Sequence, residues 1–342
     1  MFQPIRTKRL LIRPFETEDV AAFVARRNDP EVAKYQDWAL PFTQEQAEQS
    51  VGELVAMEGP EKGEWWMAIV ADATTGQVLG DLALHLNENG KTAELGYTFD
   101  REHWGHGYAV EALTALVEYA FEELDVTRVF GLLHPDNVAS AVLLERTGLL
   151  YEGRTKLSYW LGEENSDDLI YGMIRSDWDS WRDRPRQRPK EVRLVEVTSE
   201  NEEVVLGLKT HKSQEQFVAP MLWSFVDASR PEVVDGAPVV PWMRAIEADG
   251  EIVGFTMLAV TTENHPEPYL WRLLVDRRHQ RRGIGSMAMD LVEEECRQMG
   301  DKAILTSWVE GKGSPAPFYR ARAFEETGRI VDGEIEGRKI LA

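Results

Sequence analysis

One cysteine, Cys296, stands in a chain of 342 residues, and this excludes an internal disulfide framework. Its helical spacing with Ile284, Leu291, Val292 and Met299 predicts a buried thiol rather than a reactive one. No apolar run approaches the roughly 20 residues that a membrane helix needs. The opening stretch MFQPIRTKRLLIRPF has no long apolar segment and no small-residue cleavage site of the secretory kind. Positive charge is scarce: 38 Lys and Arg face 59 Asp and Glu, a net charge of −21. That balance disfavours partners bound through phosphate neutralisation, nucleic acid above all; an acidic surface serves solubility first and also suits a cationic substrate. A cytoplasmic protein with no membrane partner is expected.

Against these absences stand two glycine-rich turns of one type. The first runs from Trp104 through Gly105, His106, Gly107 and Tyr108 to Ala109. The second runs from Gln280 through Arg281, Arg282, Gly283 and Ile284 to Gly285. Gly107 and Gly283 lie 176 residues apart, about half the chain. Each turn follows a strand-like run and opens an amphipathic helix. Several backbone N–H groups then converge at the positive end of a helix dipole, a place that binds phosphate. Arg281 and Arg282 add charge to the second turn, and His106 offers a hydrogen bond in the first. Neither turn carries the Gly-Lys-Ser/Thr of a P-loop. Gly283, Gly285 and Ala288 match a dinucleotide fingerprint, with Glu310 at a ribose-contact distance, which leaves a nucleotide-dependent oxidoreductase as a remote alternative. The strand ending at Val275 stops too early for that motif. No metal site is predicted.

The order of strands, glycine turn, helix, strand, helix and strands occurs twice, so a mixed α/β fold in two copies is expected, by duplication or fusion. The first domain spans 1–181, closed by Trp178 and Trp181. A basic, proline-containing linker covers 182–190, and the second domain spans 191–342. Thr17 and Ser199 are expected to cap the first helix of each half. Thr43 with Gln46 reads as a capping box. Asn137 reads as the cap of a short helix that ends at Gly148. Asp249-Gly250 signals a hairpin.

On these residues both halves resemble the GNAT superfamily of acetyl-CoA-dependent N-acetyltransferases. Gln280-Arg281-Arg282-Gly283-Ile284-Gly285 fits that family's cofactor loop, and Trp104–Ala109 fits a variant with Trp in the first place. The segments AELGYTF and NVASAVLLERTGL make the first half resemble ribosomal-protein-alanine acetyltransferases. The segments YLWRLLVDRRHQRRGIG and PFYRARAF make the second resemble spermine/spermidine acetyltransferases. The resemblance implies two tandem acyl-CoA N-acyltransferase domains. It also implies coenzyme A on the glycine turns and a pantetheine arm between two splayed central strands, served by backbone N–H groups near Leu95–Tyr97.

The resemblance further implies roles, which differ between the halves. Glu94, thirteen residues before Gly107, stands where a general base is expected. Ser140 matches a serine near the sulfur and Asn137 a pantetheine contact. Leu144 stands where many relatives place an acid tyrosine; Tyr171 and His134 are weaker candidates. In the second half Tyr319 matches that tyrosine, but the thirteen-residue count from Gly283 reaches Leu270. A base must then come from elsewhere, with Glu267, His265, Glu247 or a water chain as options. The expected acceptor is a primary amine: a small cationic amine, an antibiotic amine, or a peptide or protein N-terminus. The competing reading makes one half, the second in preference, a non-catalytic acyl-CoA-binding module.

Overall fold

The computed structural model describes residues 2–161, 164–234 and 236–341. The chain divides into two compact units, Met1–Arg182 and Asp183–Ala342.

In the first unit the strands are β1 (Ile5–Arg6), β2 (Leu10–Arg13), β3 (Trp65–Asp72), β4 (Val78–Leu86), β5 (Thr92–Phe99), β6 (Arg128–Leu133), β7 (Leu150–Leu161) and β8 (Glu164–Ile174). The helices are α1 (Val20–Asn28), α2 (Pro30–Ala33), α3 (Gln44–Ala56), α4 (Tyr108–Glu122), α5 (Val138–Thr147) and α6 (Arg175–Arg182). The strands form one sheet in the order β1-β2-β3-β4-β5-β6-β8-β7. Every pairing is antiparallel except β5 with β6.

Strand alternation sends side chains to both faces of this sheet. Trp66, Ala68, Leu82, Leu84, Leu95 and Val129 pack under the apolar stripe of α4. Met67, Ile69 and Ala71 face the other way, onto α1 and α3. A buried ion pair fixes α1 to that second face. Arg26 Nε donates to Asp81 at 2.8 Å, and Asp81 accepts from the Thr98 hydroxyl at 2.8 Å. The Thr43–Gln46 capping box starts α3. The cap of the first helical segment falls at Glu16 rather than Thr17, because Asp19 reaches back to accept from the Glu16 N–H at 2.8 Å.

The second unit has β9 (Val192–Glu196), α7 (Glu202–Leu206), α8 (Met221–Ser229), β10 (Val233–Val234), β11 (Ala237–Pro238), β12 (Val240–Ala248), β13 (Glu251–Val260) and β14 (Tyr269–Val275). Then come α9 (Ile284–Met299), β15 (Ala303–Trp308), α10 (Ala316–Ala321), β16 (Glu325–Val331) and β17 (Glu334–Ile340). Its main sheet runs β9-β12-β13-β14-β15-β17-β16, the order of the first unit from β2 onward. Only β14 and β15 are parallel. α9 covers one face, with Cys296 buried there and its thiol pushed up to about 12 by that burial. α7 and α8 cover the other face. Asn201, not Ser199, flanks the start of α7; its side chain accepts from the Thr198 N–H at 2.8 Å. Asp249 and Gly250 both take positive φ, as a tight hairpin requires. Part of the stretch expected as a linker is tied into this unit: the Lys190 and Glu191 N–H groups both donate to Asp249 at 3.0 Å.

Candidate active sites

The single parallel pair in each sheet opens into a wedge. β5 and β6 pair only through Thr92–Arg128, Ala93–Val129 and Glu94–Phe130, although β5 continues to Phe99. β14 and β15 pair only through Tyr269–Leu305 and Leu270–Thr306, although β14 continues to Val275. Beyond these pairs the edges part, leaving backbone groups that water or a ligand can satisfy. Glu94 and Leu270 are thus the last residues of their strands in the parallel pairing.

Each glycine turn sits beside a wedge and starts the next helix. Gly107 and Gly283 take φ of +78° and +81°, which a side chain resists. The helices that follow have 15 and 16 residues, long enough for a full dipole. The two turns are fastened alike with different residues. The Trp104 indole N–H donates to the Phe99 carbonyl at 2.8 Å, and the Gln280 side-chain amide donates to Val275 at 3.1 Å. Both bonds reach back five residues to the end of the central strand, so Trp and Gln do one job.

The remaining turn residues divide. His106 and Arg281 are exposed, and Arg281 takes a positive φ of +65° at the place of Gly105. Arg282, expected to add charge, is instead buried. Its guanidinium donates to the Gln187 carbonyl at 2.8 Å and lies 2.8 Å from His279 Nδ1. Ile284 is buried as an apolar anchor for α9, whereas Gly285, Tyr108 and Ala109 are half-buried in the first helical turns.

In the first unit Glu94 is half-buried on the face away from α4, opposite His85 on β4. Burial holds its carboxyl above the ordinary glutamate range; His85 opposes this, and Asp168 and Asp37 add to it. The His85 ring lies 5.3 Å from Trp65, and Asp168 accepts from Ser158 at 2.7 Å. Across the sheet, on the α4 face, Tyr97 points its hydroxyl at the Ser140 carbonyl of α5 at 3.5 Å. Burial pushes the Tyr97 phenol far up, which keeps it protonated. Asn137 spends its side-chain carbonyl on the Ser140 N–H at 3.1 Å, so only its NH2 remains for a ligand. Leu144 is buried against Gly131. Tyr171 is buried with its hydroxyl on Glu145 at 3.2 Å, a structural contact. The His134 ring stacks on Tyr35 at 5.0 Å.

The second unit has a cleft of about 1670 Å³ that runs from Gln280 and Gly285 past Leu270 and Tyr319 to Glu334. Register explains why a count from Gly283 misleads here. Leu258 pairs with Leu270 but Met257 pairs with Arg272, so Trp271 is an extra residue in a β-bulge. The bulge flips the faces: Leu270 packs under α9 and Trp271 on the other side, where strand alternation also sets Tyr269. No carboxylate stands at this point of β14. Tyr319 is buried and stacked on Trp308, and burial raises its phenol to about 12 against a hydrogen bond to Thr306. The other carboxylate options are committed: Glu267 to Arg338, Glu247 to Arg193. His265 Nε2 lies 3.3 Å from the Ala237 carbonyl.

Two family models match: Acetyltransferase (GNAT) domain over residues 9–150 and Acetyltransferase (GNAT) family over 208–324. An uncharacterized N-acetyltransferase, YnaD, of Bacillus subtilis (strain 168) is 30% identical over 175 residues, which is 51% of this chain and 99% of the relative. This chain belongs to the GNAT acetyltransferase family. It is a tandem of two GNAT domains that use acetyl-CoA. The ribosomal-protein-serine acetyltransferase of Escherichia coli (strain K12) is 32% identical over 84 residues, 25% of this chain and 47% of that one. Among solved structures, a GNAT-family acetyltransferase from Bacillus anthracis matches with a TM-score of 0.47 at 27% identity, over 51% of this chain and 99% of that one. The dinucleotide reading falls with the fold: β14 lies in a largely antiparallel sheet, and its end is eight residues short of Gly283. No helix among the described residues is long and apolar enough to cross a membrane.

Tyr97 enters the site by its side chain as well as its backbone. Its side chain was legible: three residues past Glu94, strand alternation sets it on the opposite face, toward α5.

Proposed function

We propose that the first GNAT domain acetylates a primary amine by direct attack within a ternary complex, with Glu94 as general base. The observation that carries this is the place of Glu94: last residue before the strands part, half-buried, its carboxyl raised. A raised carboxylate is a better match to an amine proton at neutral pH. Acetyl-CoA supplies the acetyl group as a thioester. Backbone N–H groups at Leu95–Tyr97 steady the oxygen of the acetyl group. Ser140, or Tyr97 reaching over it, returns a proton to the sulfur. The first turn holds the diphosphate through backbone N–H groups, and the Asn137 NH2 takes a pantetheine carbonyl.

Asp168, Asp37, Trp65 and Tyr159 surround this site with negative charge and aromatic faces, which suits a cationic amine. A peptide or protein N-terminus is the other acceptor class; the name of the E. coli relative specifies a ribosomal-protein serine. A thiol-release assay over diamines, polyamines, aminoglycosides and N-terminal peptides tests the reading. Turnover that Glu94→Gln abolishes in the first domain supports it; undiminished turnover sinks it. One observation favours a second reading, in which the second domain only binds acyl-CoA: the last residue of β14 paired with β15 is Leu270, packed under α9, and no carboxylate stands at that point of the strand.

A further inference from the structure

The second domain holds a connected set of polar groups that no turn or cap requires. The Tyr269 hydroxyl donates to Ser307 Oγ at 2.6 Å, and Ser307 Oγ donates in turn to a carboxylate oxygen of Glu334. Tyr269 pairs with Leu305 one step before the wedge. Ser307 lies on β15 and Glu334 begins β17, so three strands contribute one residue each. All three line the cleft that also contains Tyr319. The bulge at Trp271 is what places Tyr269 on the face away from α9, opposite Tyr319 and Thr306.

Glu267, Glu336 and Asp332 share this part of the cleft; the first two are held by arginines, and Asp332 is exposed in the turn before Glu334. Arg338 grips Glu267 with hydrogen bonds of 2.9 and 3.1 Å from Nε and holds it below the usual range. Arg329 and Thr327 bind Glu336; burial works against them, but they carry it down. Among the described residues no ion pair is formed by Glu334. It is the carboxylate that the Ser307 hydroxyl reaches.

We propose that the second domain has its own base in the form of a relay, Tyr269 to Ser307 to Glu334, which replaces the strand carboxylate that it lacks. The inference rests on the reading that this family's reaction here uses an amine acceptor. The hydrogen bonds run in the direction that proton removal requires. Both hydroxyl protons already point toward Glu334, leaving a Tyr269 lone pair for an ammonium N–H. One proton leaves the nitrogen for Tyr269 as the phenolic proton moves to Ser307 and the serine proton to Glu334, which releases it to solvent. The nitrogen then forms its bond to the acetyl carbon, and the carbon–sulfur bond breaks. The leaving thiolate takes the Tyr319 proton, and the second nitrogen proton restores Tyr319.

The test uses the full chain carrying Glu94→Gln, so that remaining turnover belongs to the second domain. Putrescine, spermidine and an N-terminal-serine peptide serve as acceptors. Ser307→Ala, Glu334→Gln and Tyr269→Phe are added singly, and Ser307→Thr serves as the conservative rescue. The expected result is a fall in kcat of about 100-fold in the first three, the scale of a lost general base. The amine KM should stay within about twofold, Ser307→Thr should recover most of the rate, and calorimetry should still find two coenzyme A sites per chain. Turnover indifferent to Ser307→Ala and Glu334→Gln overturns the relay. So does a Glu94→Gln parent with no turnover beside an active wild type, an outcome that leaves the Glu94 reading intact. A variant that loses its second coenzyme A site along with turnover marks a structural role and also overturns it. Absence of turnover in the wild type overturns both readings.

Discussion

Glu111, in the first turns of α4, accepts from both the backbone N–H and Nε of Arg9, at 2.8 and 2.6 Å. The Thr7 hydroxyl donates to the same carboxylate at 2.6 Å. Arg9 in turn donates to the His106 carbonyl at 2.9 Å and lies over the Tyr108 ring at 4.5 Å. The segment before β2 is thereby bolted to the first glycine turn, as Arg282 ties the second turn to Gln187.

Removing this bolt should loosen one coenzyme A site and spare the other. Charge-assisted hydrogen bonds contribute about 1.5 kcal/mol or somewhat less when part-exposed, so Glu111→Ala should weaken the first site roughly tenfold. Two-site calorimetry reads this directly, and equal weakening of both sites would refute it. Burial pushes the Glu111 carboxyl up, but the Thr7 and Arg9 hydrogen bonds outweigh it and hold the group below its ordinary value. A depressed carboxylate stabilises the fold above its unfolded value and loses that contribution as pH falls through the folded one. Below about pH 4.3 the wild type should therefore lose thermal stability that Glu111→Gln never had.

Glu94 should show the opposite linkage. Its value is raised on folding, so its charge destabilises the native state at neutral pH, and that penalty vanishes once it is protonated. Glu94→Gln should leave Tm unchanged or slightly higher at pH 7 while cutting first-domain kcat by about 100-fold or more. The acid limb of kcat/KM should lie above the ordinary glutamate value of roughly 4.3. A limb at or below that value would count against Glu94 as base.

The two turns should fail independently. Gly107→Ala and Gly283→Ala each place a side chain at positive φ, at a cost of about 1–2 kcal/mol. Neither added carbon meets a close neighbour, the nearest being Arg9 at 3.5 Å and Arg188 at 3.9 Å. The loss should therefore appear as one missing coenzyme A site per variant rather than as unfolding. Retention of two sites in either variant would contradict phosphate binding at that turn.

Tyr319→Phe isolates a hydroxyl from a ring. The ring stacks on Trp308 at 5.8 Å and meets Phe324 edge-on at 5.5 Å, and phenylalanine keeps both contacts. Stability should change by less than about 1 kcal/mol. If the phenol protonates the departing thiolate, second-domain kcat should fall by about 100-fold with coenzyme A affinity unchanged. An unaltered rate would make Tyr319 a packing residue only.

Local signals carried most of what could be read in advance. Thr43 with Gln46, Asn137 with Gly148, and Asp249-Gly250 each encode an element boundary in a few adjacent residues, and each element forms there. The caps expected at Thr17 and Ser199 fall instead at Glu16, whose N–H donates to Asp19, and at Asn201, whose side chain accepts from the Thr198 N–H. Arg282 looked like a phosphate-facing charge because spacing says nothing of inward or outward aim once a turn leaves regular structure.

By itself the amino-acid order determined the doubled architecture, the two glycine turns and the acetyl-CoA chemistry of the family, since these rest on short motifs and hydrophobic periodicity. Only the tertiary structure decided where the central strands part, which face the bulge at Trp271 turns outward, and that Tyr269, Ser307 and Glu334 meet. Those facts depend on register between strands up to 65 residues apart, from Tyr269 to Glu334. A one-residue slip in a strand exchanges its two faces, and no local pattern reports it.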